Sequence, residues 1–478
     1  MSTVSIPPMT RPITDTAYPW RRRLLTVYIA LLPVMVVRDL PLLGSRFQLT
    51  ELVFGALFVS WIVPALRDRR ALVTTPLAKW LAVWLAVAAV STALALHIWD
   101  SVAELAAWGY LAAVYVVIVN VVDSWDDWRR LVRVWVIAST LAAVLILVGV
   151  VCGVLWDVAT PFAVQVDPFL RNRLLWVGVG LFWAPSTPNL VVGYLLAGSI
   201  LALGLMWASE NRQLRWLAGI AAATHAAALA LTISRGWIAV GLALLVFMMQ
   251  FRSYAAEVGR WIVLVGWLLL VVAVEILSFY QAAGVSASIS WVPAAEATAP
   301  REAYDKYLLP DEPLRQARVE AVYAPAPRPL LNLAALEMWR ERPWLGVGPG
   351  GFAREIFERQ RAHGERWNGL AVLAPWDPHS TYFGALAEIG ILGALSVIVV
   401  FGAAIRQTLY ALRRNTAPLM APLLWAVLAV IAGYVVAAKD DDLLTKRWLW
   451  SAAGLSGSAY ALTRRGEEAP PETPEATG

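Results

Sequence analysis

The sequence predicts an all-α, polytopic helical membrane protein with about twelve transmembrane helices and one large extracytoplasmic loop between spans 9 and 10. Three observations predict it. Hydrophobic residues make up 59% of the 478-residue chain and charged residues only 15%, against roughly 25% charged in a soluble domain. The apolar residues gather in long runs such as LAVWLAVAAVSTALALHIW and WIVLVGWLLLVVAVEIL, near the ~20 residues a helix needs to cross hydrocarbon. These runs do not alternate with period two, as barrel strands would. Lysine and arginine, finally, collect in short loops between the runs.

Taken in order, a polar, proline-containing segment at 1–23 ends in Arg21, Arg22 and Arg23. No small-residue cleavage site follows, so the first run reads as a retained anchor. Spans fall at roughly 24–37, 48–66, 78–97, 102–122, 131–152, 188–207, 216–234, 236–251 and 261–281, forming a nine-helix block over 24–281. The first and eighth are short. A loop at 282–378 separates them from spans at 380–404, 419–438 and 447–463, and 464–478 reads as a disordered cytoplasmic tail. With a cytoplasmic N-terminus, every basic loop falls on one side: RRR, RDRR at 67–70, WRR at 128–130, ENRQLR at 210–215, Arg252 to Arg260, Arg406 to Arg414, and Arg464 with Arg465. The loops at 157–188 and 282–378 then lie outside. Within the longer one, LLNLAALEMWRERPWLGVGPGGFAREIFERQ reads as a helix, a Gly/Pro turn and an amphipathic helix.

Other function classes recede. The net charge of +5 arises from loop arginines that set topology, so no nucleic-acid partner is expected. Cys152, the single cysteine, lies in an apolar run, which leaves neither a disulfide nor a thiolate metal site. His97 and His225, isolated in apolar runs, read as packed or pore-facing. Asp440, Asp441 and Asp442, flanked by Lys439, Lys446 and Arg447, read as charge-paired. Neither a metal nor a cofactor is expected.

Two residues stand out at the outer edge. His379 precedes span ten, with Ser380 placed to cap that helix. An imidazole there titrates near neutral pH within reach of a membrane-anchored substrate, although an interfacial histidine reaching toward headgroups fits the position too. Arg235 sits in the tight hairpin between spans 7 and 8 and opposes the positive-inside bias. Its fork suits phosphate, and headgroup contact or a salt bridge is the competing use. Gly390 and Gly393 are spaced to admit a neighbouring helix. Glu388, about 13 Å deeper than His379 on the opposite helix face, is not placed to pair with it. GVGPGG at 346–351 lacks the lysine and strand-to-helix setting of a phosphate loop and reads as a turn.

Together these residues resemble the O-antigen ligase and polymerase superfamily of bacterial membrane glycosyltransferases. The ligase signature H-[NSQ]-x9-G-x-x-G is matched by His379-Ser380, Gly390 and Gly393. The family's Ser-Arg-Gly between two helices is matched by Ser234-Arg235-Gly236. A third match runs from Arg328 through AALEM to PWLGVGPGGF, with Arg318 as the rival for the arginine. A weaker one, PNLVVGYL at 188–195, brings in Asn189. The sequence departs from the pattern at Ala394, where many ligases carry Thr or Val.

The resemblance implies a metal-independent glycosyltransferase of the bacterial inner membrane, with cytoplasmic termini and an extracytoplasmic active site, serving cell-surface polysaccharide (lipopolysaccharide) biosynthesis. Its donor would be a glycan on a polyprenyl diphosphate, undecaprenyl diphosphate in kind, and its acceptor a lipid-linked or glycan hydroxyl. His379 would act as base while Arg235 and Arg328 grip the diphosphate. A repeat-unit polymerase of the same superfamily differs only in acceptor. A solute or inorganic-carbon transporter is the alternative from another class, and internal repeats and midplane polar sites, its usual marks, are lacking.

Overall fold

The computed structural model describes residues 19–34, 49–67, 72–156, 163–167, 176–181, 184–185, 188–231, 236–253, 255–269, 328–362 and 377–468. Its helices are α1 (Pro19–Ala30), α2 (Leu49–Arg67), α3 (Pro76–Ala93), α4 (Ile98–Val121), α5 (Trp125–Trp156), α6 (Pro188–Ala208), α7 (Arg212–Leu231) and α8 (Trp237–Met248). They continue with α9 (255–269), α10 (Arg328–Glu341), α11 (Gly351–Ala362), α12 (Thr381–Arg414), α13 (Ala421–Ala437) and α14 (Arg447–Glu468). Between α5 and α6 lies a small antiparallel sheet of β1 (Ala163–Asp167), β2 (Trp176–Leu181) and β3 (Ala184–Pro185), in the order β1-β2-β3. The sequence alone marks that stretch only as an outer loop.

A helix covers at least part of each of the twelve expected ranges. Seven of those described are long and apolar enough to cross a membrane: α2, α3, α4, α5, α6, α12, and α13 with the 3-10 turn before it. The others are short, as α1 and α8 are at 12 residues each, or more polar, as α14 is with its Arg-Arg-Gly-Glu-Glu end.

Local signals account for the boundaries. Thr75 caps α3 by accepting Ala78 N–H at 3.2 Å, with Pro76 in the first turn. Ser124 accepts Asp127 N–H at 3.1 Å, and Asp126 and Asp127 place negative charge at the start of α5. Helices then pack through small residues and aromatic stacks, as is usual where lipid offers no hydrophobic drive between helices. Trp84 of α3 lies between Trp108 of α4 and Trp450 of α14, with ring centroids 4.9 and 5.6 Å away. A Cβ on Gly454 would meet Ile118 at 2.8 Å, and one on Gly457 would meet Val119 at 2.6 Å, so α4 and α14 run in close contact. Side chains such as Val63, Ile137 and Leu395 face outward, as a lipid-facing surface requires.

α14 connects two chemically different ends of the bundle. At one, Arg22 of α1 reaches Asp123 and Asp127 at 3.5 and 3.0 Å, and Arg465 reaches Asp123 at 3.5 Å. At the other, Arg447 meets Glu51 of α2 at 2.5 Å, beside the loop that holds α12. Both termini of the described bundle therefore lie at one end and the start of α12 at the opposite one.

A second core cluster sits at the α12 end. Leu331, Ala334, Ala335 and Met338 repeat at helical spacing along α10 and are fully buried against Val347, Phe352, Ile356 and Ala387. Arg359 of α11 grips Glu341 of α10 through both Nη atoms, at 2.8 and 2.5 Å. That fork pulls the Glu341 carboxyl below its usual range.

Candidate functional site

The site is built on the start of α12. Ser380 caps the helix, its Oγ accepting Phe383 N–H at 3.4 Å, as its position in the sequence predicts. His379, immediately before it, takes a left-handed backbone with φ +49°, and its N–H donates to Asp377 Oδ1 at 3.3 Å. Histidine is among the few non-glycine residues enriched in that region, and such conformations concentrate at functional sites. The residue is half-buried.

Thr381 fastens this corner to the loop joining α13 and α14. Its N–H donates to Ala438 O at 2.8 Å and Asp441 O at 3.1 Å, and its Oγ1 donates to Asp441 O at 2.9 Å while accepting Leu443 N–H at 2.8 Å. The loop carries Asp440, Asp441, Asp442 and Lys446. Burial, then the Asp377 carboxylate, push the Asp442 carboxyl up to about 8, while Lys446 acts the other way. Burial pulls Lys446 down, but Asp441, Asp377 and Asp442 together outweigh it and hold the ammonium above its ordinary range. The aspartates thus do more than pair with flanking lysines. Only their position in the fold reveals it, because sequence does not place this loop against His379.

Beyond the loop lies a small cavity of about 20 Å³ that opens to solvent. Gly193 and Leu196 of α6, Gly236 before α8, and Ala437, Asp440 and Asp441 bound it. Its walls are apolar, and its carboxylates belong to the loop that Thr381 holds. Asn189 lies one turn before Gly193 on α6, at the second residue of that helix. Arg328 is the first residue of α10. Arg235 and Arg318 fall outside the described residues, although Gly236, the neighbour of Arg235, lines the cavity.

The glycine motifs form one device. α12 is broken at Gly390 (φ +66°, ψ −167°), which frees carbonyls and an amide that a continuous helix would satisfy. Residues 343–348 pair with them instead: Val347 N–H donates to Ala387 O and Gly348 N–H to Glu388 O, both at 2.9 Å, and Ile391 N–H donates to Pro343 O at 2.9 Å. A Cβ on Gly390 would stand 2.3 Å from the Trp344 carbonyl carbon, and one on Gly346 2.4 Å from Ala387 O. The expectation of a neighbouring helix at Gly390 and Gly393 is corrected: loop backbone approaches Gly390, and Gly393 abuts Ile389 of its own helix. GVGPGG is the turn expected, with Gly346, Gly348 and Gly350 all at positive φ. Glu388 does not pair with His379. It is buried, and its Oε1 accepts Phe352 N–H at 3.3 Å, capping α11 from outside.

The remaining histidines divide. His225 is packed, as expected, between Ala221 O at 2.6 Å and Ser139 Oγ at 2.8 Å. The isolation expected of His97 is overturned. α11 folds back over the α3–α4 turn and brings Glu355 to 3.1 Å and Glu358 to 3.8 Å from its Nε2.

Residues 220–398, from α7 into the second segment of α12, match a family model described as O-antigen ligase. The chain carries a domain of the O-antigen ligase superfamily. Its members are ligase- or polymerase-type membrane enzymes of polysaccharide biosynthesis, in keeping with the apolar helices described above. The O-antigen ligase match takes in Arg235, Arg328, the glycine turn, His379 and Ser380. Comparison with curated proteins returned no match.

Proposed function

We propose that this protein transfers a glycan from a polyprenyl diphosphate carrier to an acceptor hydroxyl at the outer face of the bacterial inner membrane. The observation that carries the reading is convergence. The start of α6, the Gly236 end of the Ser-Arg-Gly motif and the 438–446 loop bound one apolar cavity, and that loop is hydrogen-bonded to the helix start that displays His379. An apolar wall with carboxylates gathered at one end is the kind of surface that could line the path of a lipid carrying a sugar, although the cavity itself is narrow.

In this scheme His379 takes the proton of the acceptor hydroxyl as its oxygen bonds to the anomeric carbon. The bond from that carbon to the diphosphate oxygen breaks, and the electron pair leaves with the diphosphate. Arg235 and Arg328 stabilise the charge that develops there. Asp377, bonded to the His379 backbone, favours the positive charge the ring gains. Asp440 and Asp441, at the polar end of the cavity, are acceptors for sugar hydroxyls. The chemistry requires no metal. Twelve spans with cytoplasmic termini would leave the site outside, consistent with the termini lying at the end opposite His379. The His379-Ser380 to Gly390 and Gly393 spacing is of the ligase kind, which favours the ligase reading over the repeat-unit polymerase.

The test is a transfer assay in liposomes with a polyprenyl-diphosphate-linked glycan and candidate acceptors, following release of free polyprenyl diphosphate. Because His379 has positive φ, His379→Asn is the cleaner variant: asparagine tolerates that backbone, so chemistry is lost without strain. A fall of about 10²–10⁴ in rate with unchanged thermal stability is expected. Equal release by wild type and variant would remove His379 from the chemistry.

A further inference from the structure

We propose that His97, Glu355 and Glu358 form a binding site for a divalent transition-metal ion of the zinc class, which staples α11 to the α3–α4 turn. The glycan-transfer reading makes no use of these residues, and the proposal does not rest on it.

The geometry is that of ligands spaced around a small cation. Zinc binds imidazole nitrogen and carboxylate oxygen at about 2.0–2.2 Å, which sets tetrahedral ligand atoms about 3.4 Å apart. His97 Nε2 lies 3.1 Å from Glu355 Oε1 and 3.8 Å from Glu358 Oε2, and the three ligand atoms lie within 4.8 Å of one another. Glu355 and Glu358 stand three residues apart, so both project from one face of α11.

Each carboxylate is held through the oxygen it does not offer. Arg359 reaches Glu355 Oε2 at 3.5 Å, and Arg354 Nε meets Glu358 Oε1 at 3.2 Å. Arg359 is itself fixed by Glu341 from outside the cluster. Outer partners that aim ligand oxygens in this way are the usual second layer of a metal site. Glu355 is 8% exposed and aims Oε1 at His97, while Glu358 sits at the rim with its side chain 48% exposed. That exposed rim gives an ion an entry path from solvent.

The ion has a mechanical consequence. The N-terminus of α11 is already held by Glu388. A metal one turn further on would hold the helix at a second point, over a turn that Leu96 N–H joins to Val347 O at 3.1 Å.

The experiment uses the full chain purified in detergent, stripped with chelator, gel-filtered and titrated with Zn²⁺ and, separately, Co²⁺. Metal content and the visible spectrum of bound Co²⁺ are the readouts, and transfer activity is not needed. Wild type is expected to retain one equivalent and to show a tetrahedral Co²⁺ spectrum. Glu358→Gln, a near-isosteric change at a half-exposed position, is expected to bind about 10-fold more weakly or worse, and His97→Ala to lose the equivalent. Zinc should also slow proteolysis within 351–362 in wild type but not in Glu358→Gln. Wild type that retains no zinc, or zinc retained equally by both variants, overturns the proposal.

Discussion

At the scale of single residues, the loop that Thr381 fastens next to His379 comes from far away in sequence. Asp442 lies on that loop, and its environment makes a prediction with a sign. Its carboxyl, ordinarily near 3.8, is pushed up to about 8 by burial and by Asp377. Between about pH 4 and 8 the folded protein holds a proton that the unfolded chain releases, so this residue's contribution is full below pH 4 and is lost as pH rises through 8. Asp441, Glu104 and Lys446 also face it, and all remain in Asp442→Asn. Thermal unfolding in detergent should therefore show wild type losing stability from pH 5 to pH 8.5, and Asp442→Asn losing less, by about 1 kcal/mol or more. Parallel pH profiles would mean that Asp442 ionises normally in the fold.

Among the elements, α12 is the one whose irregularity matters. Gly390 occupies a backbone region that is close to glycine-only and lies against the Trp344–Leu345 peptide. Gly402, further along the same helix, has open space within 4 Å of where a Cβ would stand. Gly390→Ala should therefore cost about 3 kcal/mol or more, since backbone strain and a backbone clash add. Gly402→Ala should be stabilising by about 0.5–1 kcal/mol through helix propensity. Unfolding midpoints of the two variants check this, and a well-tolerated Gly390→Ala would mean the break in α12 is not needed. The same helix shows what sequence discloses and what it withholds. Ser380 as a cap, the α10–turn–α11 order and the GVGPGG turn are all legible, because each follows from local residue chemistry. That the turn stitches into a break at Gly390, that Glu388 caps α11 and that Glu355 meets His97 are not. Those facts depend on how 343–358 folds back across α3 and α12, and spacing along the chain carries no record of it. The aspartates at 440–442 escape a sequence reading for the same reason, their lysine neighbours in sequence being only part of their surroundings in space.

For the whole molecule, the ordering of charge along α14 turns the proposed topology into a measurement. Arg22 and Arg465 share Asp123 at one end, while Arg447 and the 438–446 loop lie at the other with His379. Arginine-rich loops belong on the cytoplasmic side, so the Arg465 end should face inward and the His379 end outward. Cys152 is the single cysteine, which makes a Cys152→Ser background ready for labelling. Lys439→Cys, at an exposed position in the site loop, and Gly466→Cys, where nothing lies within 4 Å of a Cβ, are both expected to fold. A membrane-impermeant maleimide applied to intact spheroplasts should label the cysteine at 439 and reach that at 466 only after permeabilisation. The reverse pattern would put His379 on the cytoplasmic side. A carrier-linked glycan presented outside the membrane could then not be its substrate, whatever the activity of the purified protein.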